Sequence, residues 1–405
     1  MPLISLGDIN IYIVYALIGG IAKCIAGTLL YIYKNELKNY PFMLGANAGL
    51  GLTLSIIPHI FVKIKYRGIN TQPKTIDKNL YLNKQYYKNY NEKSIIMNKF
   101  YIILLAAFLD FFQKLLVFLF SYSIDNNVWI FNIIFLNIFS ICILKTKLYK
   151  HQIITSSIMI LLGIFLNILL LKDMKVEKIP ALLLSIFIET IYSLSIVVSK
   201  YGMEYSFCSP LEISFYQGLF AFIVNVIFLS ISTNIPVPNN SILLKYLKHT
   251  DYKNKEYLDN FFAYFKVFRG KEIIMFIITM LSRWIFNLFA LFTIKYYTPS
   301  HVILLLILGE IQNTFFDIQN LHIRAIAIII YFFLFSLLLV FTEIIVLHFC
   351  GLDKDTKIMI ANRAISQEIE EQITGDYNEN GSGSGSGRDS GFEIEDGIEI
   401  NFTDN

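Results

Sequence analysis

The chain has 405 residues, 55% hydrophobic and only 16% charged, with a formal net charge of +3. A soluble domain carries roughly 25% charged residues, so this length does not mean two or three soluble domains. The apolar residues gather in runs of roughly 20, enough to cross a hydrocarbon core about 30 Å thick, and nothing resembles a nucleic-acid site.

Ten apolar segments follow one another, at roughly 9–33, 41–65, 99–123, 127–144, 151–171, 179–199, 210–235, 272–296, 299–318 and 324–349. In lipid each backbone N–H needs an internal partner, so each segment is expected to be a helix. A β-barrel is excluded, because the runs are twice too long and lack dyad alternation. The first segment has no basic stretch before it and is too long for a signal core, so it reads as the first span. Pro180, Pro210 and Pro299 stand at the starts of segments, where a missing N–H does no harm. Gly19, Gly20, Ala22 and Gly27 in the first segment, with Gly45, Ala46, Ala48, Gly49 and Gly51 in the second, let helices pack closely or flex, and close packing is the favoured reading.

Orientation is read from Lys and Arg. The loop after the second segment is rich in lysine from Lys63 to Lys99, and Lys145, Lys147 and Lys150 follow the fourth, whereas 121–127 has none. Both termini are then expected to be cytosolic. Two loops run against this: one holds Lys172, Lys175 and Lys178, and the other, 236–271, is also basic. The second of these has an aromatic stretch, Tyr257 to Phe268, that reads as an amphipathic helix on the membrane surface. It also holds the glycosylation acceptor pattern Asn239-Asn240-Ser241, on the side expected to be lumenal. His59 and His348 lie at segment ends and read as interfacial.

The tail 350–405 is expected to be cytosolic and largely disordered. A short helix at Ile365–Ile373 is followed by the alternating Gly/Ser linker Gly381–Gly387. Residues 364–405 carry eleven acidic residues against one arginine, a composition that cannot bury a core. Cys24, Cys142, Cys208 and Cys350 are scattered, without the spacing of a metal site or disulfide framework.

The third segment with its sequel, from Asp110 to Val128-Trp-Ile-Phe131, is similar to the eighth with its sequel, from Ser282 to His301-Val-Ile-Leu304. Both have an aromatic-rich helix ending Leu-Phe-(Ser/Thr), a tight turn and a second apolar helix. This predicts a duplicated five-helix unit, about 9–171 and 179–349. An odd number of spans per unit inverts the second copy in the membrane. The expected fold is thus an all-α membrane protein of ten transmembrane helices in two inverted five-helix repeats, spanning 1–349.

With this layout come Lys145-Thr-Lys147, His151-Gln152, Gly163, Ser209-Pro210-Leu-Glu212, Tyr216-Gln217-Gly218 and Thr298-Pro299-Ser300-His301. Together they resemble the drug/metabolite transporter superfamily of eukaryotes over roughly 9–349. The resemblance is to nucleotide-sugar-transporter-like or chloroquine-resistance-transporter-like members. The long loop after segment seven favours the latter, but the paired cysteines of that group are missing from it. The resemblance implies a cavity lined by segments one to four and six to nine, alternating access by rocking of two halves, and an endomembrane such as Golgi or vacuole.

Six ionisable residues fall near the middle of segments: Lys23, Asp110, Lys114, Glu189, Arg283 and Glu310. Such a group costs about 2.5–3.5 kcal/mol at mid-bilayer, so it faces the interior and finds a partner. Asp110 and Lys114, four apart, share a helix face and form either a self-neutralising pair or a polar cavity wall. Lys23 and Arg283 are candidates to hold an anionic group or a neighbouring carboxylate. Glu189 and Glu310 are candidates for proton coupling, or for hydrogen bonds between helices. Asn137, Gln217, Asn287 and Asn313 are supporting polar groups.

No metal box, phosphate loop or nucleophile elbow is present, so neither an enzyme nor an ATP-driven pump is expected, and no cofactor. The expected partners are a small-molecule substrate, membrane lipid and a proton. The leading reading is a secondary transporter of a small organic solute, coupled to protons or working by exchange. The alternative is a non-transporting receptor or scaffold that docks through its acidic tail.

Overall fold

The computed structural model describes residues 4–6, 11–32, 40–65, 92–120, 131–146, 148–171, 179–206, 208–238, 247–267, 270–317 and 321–347. A short strand, β1 (Ile4–Leu6), precedes α1 (Ile11–Ile32). Then come α2 (Pro41–Thr53), α3 (Ile56–Lys65), α4 (Glu92–Leu119), α5 (Phe131–Leu144), α6 (Lys150–Leu171), α7 (Ile179–Tyr205) and α8 (Pro210–Asn234). A hairpin of β2 (Thr250–Tyr252) and β3 (Lys255–Tyr257) leads to α9 (Phe261–Val267) and α10 (Gly270–Tyr296). A 3-10 turn, Pro299–Val302, opens α11 (Ile303–Asp317), and α12 (Leu321–Phe341) is followed by β4 (Ile345–Leu347).

Seven of these helical stretches are long and apolar enough to cross a membrane: Pro41–Ile64, Lys99–Leu119, Lys150–Ile168, Leu182–Tyr205, Pro210–Asn234, Gly270–Tyr296 and His322–Phe341. Shorter apolar helices at Val14–Leu29, Phe131–Leu144 and Pro299–Gln312 fall on the other three apolar segments. The side chains are arranged for lipid rather than water. Phe332 is 70% exposed and Phe61 and Leu161 are each 67% exposed, while Ser55, Ser193, Ser214 and Thr293 are fully buried. The chain therefore has the architecture of a multi-pass membrane protein.

Helix starts follow local chemistry. Pro210 opens α8 behind a capping box: the Ser209 hydroxyl accepts from the Glu212 N–H, and the Glu212 carboxylate accepts from the Ser209 N–H. Two orphan donors of the first turn are thereby satisfied. The β2–β3 turn has Lys253 and Asn254 both at positive φ, 51° and 63°, the turn geometry that matches strand twist in a two-residue hairpin. This corrects the expectation of a surface helix from Tyr257 to Phe268: Tyr257 closes β3, and the helix spans only Phe261–Val267. Its Phe262 and Phe265 are exposed, while Ala263 and Tyr264 pack with Tyr40 and Leu44 at the start of α2.

Glycine lets helices meet at backbone distance. A Cβ on Gly49 of α2 would lie 2.5 Å from the Phe222 nitrogen of α8, and one on Gly218 would lie 2.6 Å from the Thr53 nitrogen. The close packing expected of Gly45, Gly49 and Gly51 is present on α8 and α10, and Gly19 and Gly20 pack on Leu305 and Leu308 of α11.

The directions of packed helices can be read from their contacts. α1 runs parallel to α11, with Gly19 on Leu305 and Gln312 donating to the Thr28 hydroxyl. It runs antiparallel to α10, with Tyr15 on Tyr296 and Gly19 on Phe289. α4 is parallel to α8, through Lys99 with Glu212 and Phe111 with Phe220. α4 is antiparallel to α7, through Ile102 with Gly202 and Ala106 with Ser195. α2 is parallel to α10 and antiparallel to α8, because Ser55 meets Trp284 and Ser214 while Asn47 reaches Phe276 and Gly45 reaches Asn225. Before α1 and after α12, β1 pairs antiparallel with β4, Ile4 opposite Leu347.

Candidate functional site

Four of the six mid-segment ionisable residues are joined in two ion pairs. Lys23 of α1 reaches Glu310 of α11 at 2.6 Å and donates to the Leu306 carbonyl at 3.3 Å. Gly309 makes room for this, since a Cβ there would lie 2.6 Å from the lysine's Cδ. Lys114 bonds Asp110 at 2.6 Å along α4, the self-neutralising form of the pair.

Glu189 of α7 is held differently. The Asn132 amide of α5 donates to its carboxylate at 2.6 Å, and the Ser193 hydroxyl donates to the Asn132 carbonyl at 2.9 Å. Asn132 and Ser193 were not singled out from the sequence, although each is a buried polar residue in an apolar run, which is the signal that finds such groups. Glu189 lies within electrostatic reach of Lys23 and Glu310, and Tyr192 within reach of Glu189, Asp110 and Glu310. Residues from α1, α4, α5, α7 and α11 thus converge on one polar interior.

A second polar cluster joins the turn between α2 and α3 to α8 and α10. Trp284 donates to the Ser55 hydroxyl at 2.9 Å, and Ser55 to Ser214 at 2.8 Å. Asn287 lies 3.4 Å from both the Gln217 carbonyl oxygen and the Ser214 hydroxyl. These contacts bind helices to one another, as expected of amides in lipid. Asn137 does the same between α5 and the 3-10 turn, accepting from Ser300 at 2.7 Å. The side chain of Asn313 lies outside the described residues.

Arg283 of α10 has no carboxylate partner among the described residues. Its guanidinium lies 4.8 Å from the centre of the Phe118 ring of α4, and its Nη1 is buried without a hydrogen-bond acceptor. Lys248, in the loop after α8, feels its charge. No sequence signal marked Lys248, because a lysine in a basic loop is ordinary.

On the side of the molecule where α2 begins, Asp259 is fully buried and accepts from the Phe42 and Met43 N–H groups at 2.7 and 3.0 Å. It caps α2 from the loop that follows α8 and β3. Burial pushes its carboxyl up from an ordinary 3.8 to about 7, against the opposite pull of backbone donors at Met43, Phe42 and Asn260. At the other end, Glu212 pairs with Lys99 at 2.8 Å and the Ser209 hydroxyl lies 3.5 Å from the His59 ring. Buried His151 lies 3.4 Å from Glu343. Cys24, Cys142 and Cys208 are free thiols. Cys350, His348, the Asn239 acceptor and the acidic tail lie outside the described residues.

What the fold and site define together is a class: a multi-pass helical membrane protein with a polar, charge-paired interior. Neither a scan against protein-family models nor a search of curated proteins found a match.

Proposed function

We propose that the chain is a secondary transporter that carries a small organic solute by alternating access. It would have ten spans in two inverted five-helix halves, with both termini on the cytosolic side of an endomembrane. The observation that carries this reading is the arrangement of the interior contacts. Exchange each helix of the first half for the one five spans later: α1 for α7, α2 for α8, α4 for α10, α5 for α11, α6 for α12. The packed pair α1 with α10 then becomes α7 with α4, and α1 with α11 becomes α7 with α5. The pair α2 with α10 becomes α8 with α4, and α5 with α6 becomes α11 with α12. The pairs α2 with α8 and α6 with α12 map onto themselves. Among the described residues, α7 with α10 is a helix pair whose mate, α1 with α4, is not among the stronger contacts.

The polar contacts follow the same exchange: Lys23 with Glu310 joins α1 to α11, and Glu189 with Asn132 joins α7 to α5. Every helix direction read above fits ten alternating crossings. The pairing of β1 with β4 supports an even number of them. Two equivalent halves suit alternating access by rocking, because the same contacts can open on either side. Of Asp110, Glu189 and Glu310, Glu189 is the one held by an amide instead of a lysine. It is therefore the candidate to take up and release a coupling proton, without an ion pair to break.

Uptake by proteoliposomes holding the purified protein tests this. Labelled nucleotide sugars, amino acids, peptides, organic acids and organic cations would be offered with and without a pH gradient. Saturable uptake of one class is expected. With Glu189→Gln, uptake should persist and lose its response to the gradient. No uptake of any class by folded protein would shift the reading to the receptor or scaffold.

A further inference from the structure

We propose that Arg283 and Lys248 form an anion site that takes the carboxylate or phosphate group of the transported solute. This rests on the carrier reading above.

The interior's other mid-span cations are occupied, since Lys23 and Lys114 each hold a carboxylate at 2.6 Å. Neither Arg283 nor Lys248 is ion-paired among the described residues. Lys248 is not free to swing away on its loop. Its N–H donates to the Leu119 carbonyl at 2.7 Å, and Leu247 bridges to Phe120. The loop is thereby pinned to the end of α4, just past the Phe118 ring that Arg283 covers. Two cations carried by two elements are thus brought to the end of α4, Arg283 over the Phe118 ring and Lys248 within electrostatic reach of the guanidinium. Burial pushes the Lys248 ammonium down to about 8, with the charge of Arg283 adding to the effect. An anion placed between them would offset both effects.

A multi-oxygen anion answers each feature. The guanidinium offers a planar fork to two oxygens, including the buried Nη1, while the lysine offers a compact charge from a second direction. A cationic solute would meet two like charges and a neutral one would leave them unanswered. A solute and a lipid headgroup share this chemistry, and the experiment separates them.

The test is the melting temperature of the purified full-length protein, titrated with inorganic phosphate and with succinate at constant ionic strength. The wild type should rise saturably by about 2–4 °C once the anion is well above its dissociation constant. R283Q should lose the rise. K248E, in the loop and not in a span, should also lose it, because its new carboxylate reaches the arginine; this variant should melt no lower than wild type without added anion. Absence of a rise in wild type, or a rise that survives K248E, overturns the proposal. The melt repeated in phosphatidylcholine vesicles with and without phosphatidylglycerol separates the sources. A rise that needs the anionic lipid and is untouched by soluble anions assigns the site to a headgroup and overturns the solute assignment. The uptake panel separates this inference from the reading beneath it. Transport confined to cations or neutral solutes overturns the site and leaves the carrier standing. Anion binding at these residues without uptake of anything overturns the role in transport.

Discussion

Lys23 and Glu310 show what an interior ion pair demands of its partners. The lysine side chain is 24% exposed and the glutamate 8%, so removing one leaves the other poorly solvated. Lys23→Met should therefore lower stability by about 3–5 kcal/mol, the usual cost of leaving a buried charge without its partner. Pairing it with Glu310→Leu should restore most of that loss in a thermal melt. If the pair serves transport, uptake by the double variant should still fall by at least about tenfold, a factor equal to ~1.4 kcal/mol. Normal uptake by the double variant would make the pair a structural strut. Asp259 makes a different prediction at this scale. The folded protein holds its proton more tightly than the unfolded chain does, because burial outweighs the backbone donors. Its contribution to stability is thus greatest below about pH 4 and declines as pH rises toward about 7. Asp259→Asn keeps an acceptor for the α2 N–H groups and should remove that decline from a series of melts between about pH 4 and pH 8. A wild-type melt that rises through this window would contradict the assignment.

At the scale of elements, the contact of α2 with α8 is set by hydrogen in place of side chains. A methyl at Gly218 would meet the Leu52 Cβ at 2.6 Å and the Thr53 nitrogen at the same distance. Backbone cannot yield as the end of a flexible side chain can, so Gly218→Ala should cost about 1–3 kcal/mol. Gly309→Ala, which meets only the flexible stem of Lys23, should cost less and act through the Lys23–Glu310 contact. Much of the element layout was legible. Apolar runs located the helices, because lipid permits no other use for them. Small residues in the first two segments pointed to the close contacts made by Gly19 and Gly49. Pro210 stood at the start of the seventh segment, and α8 begins there. The loop after α8 was harder. The β2–β3 turn needs positive φ at Lys253 and Asn254, and only the asparagine favours that conformation. The aromatic run beyond it masked the end of a strand.

For the whole molecule, the sequence carried the charged residues of the interior but not their pairing. That Lys23 faces Glu310, and Glu189 faces an asparagine, depends on contacts 287 and 57 residues apart in sequence, which no local pattern encodes. Asp110 with Lys114 was legible because both sit on one helix face. Arg283 could be flagged but not interpreted, since its meaning depends on Phe118 and Lys248. The proposed inverted repeat is faint as sequence similarity, and the mated helix contacts are the observation it would account for. The proposed ten alternating crossings carry a topological prediction. Single cysteines placed at Lys99 and at Asn254 should react with a membrane-impermeant maleimide from opposite sides of the membrane, and a glycan on Asn239 should lie on the side of Asn254.

The most direct measurement of the central claim is solute uptake into proteoliposomes by wild type and by the Lys23→Met/Glu310→Leu variant at matched thermal stability. The account predicts saturable uptake by the wild type and its loss in the variant. Uptake by neither protein, both folded and correctly inserted, would contradict a carrier and leave a membrane protein with a charge-paired interior and another purpose.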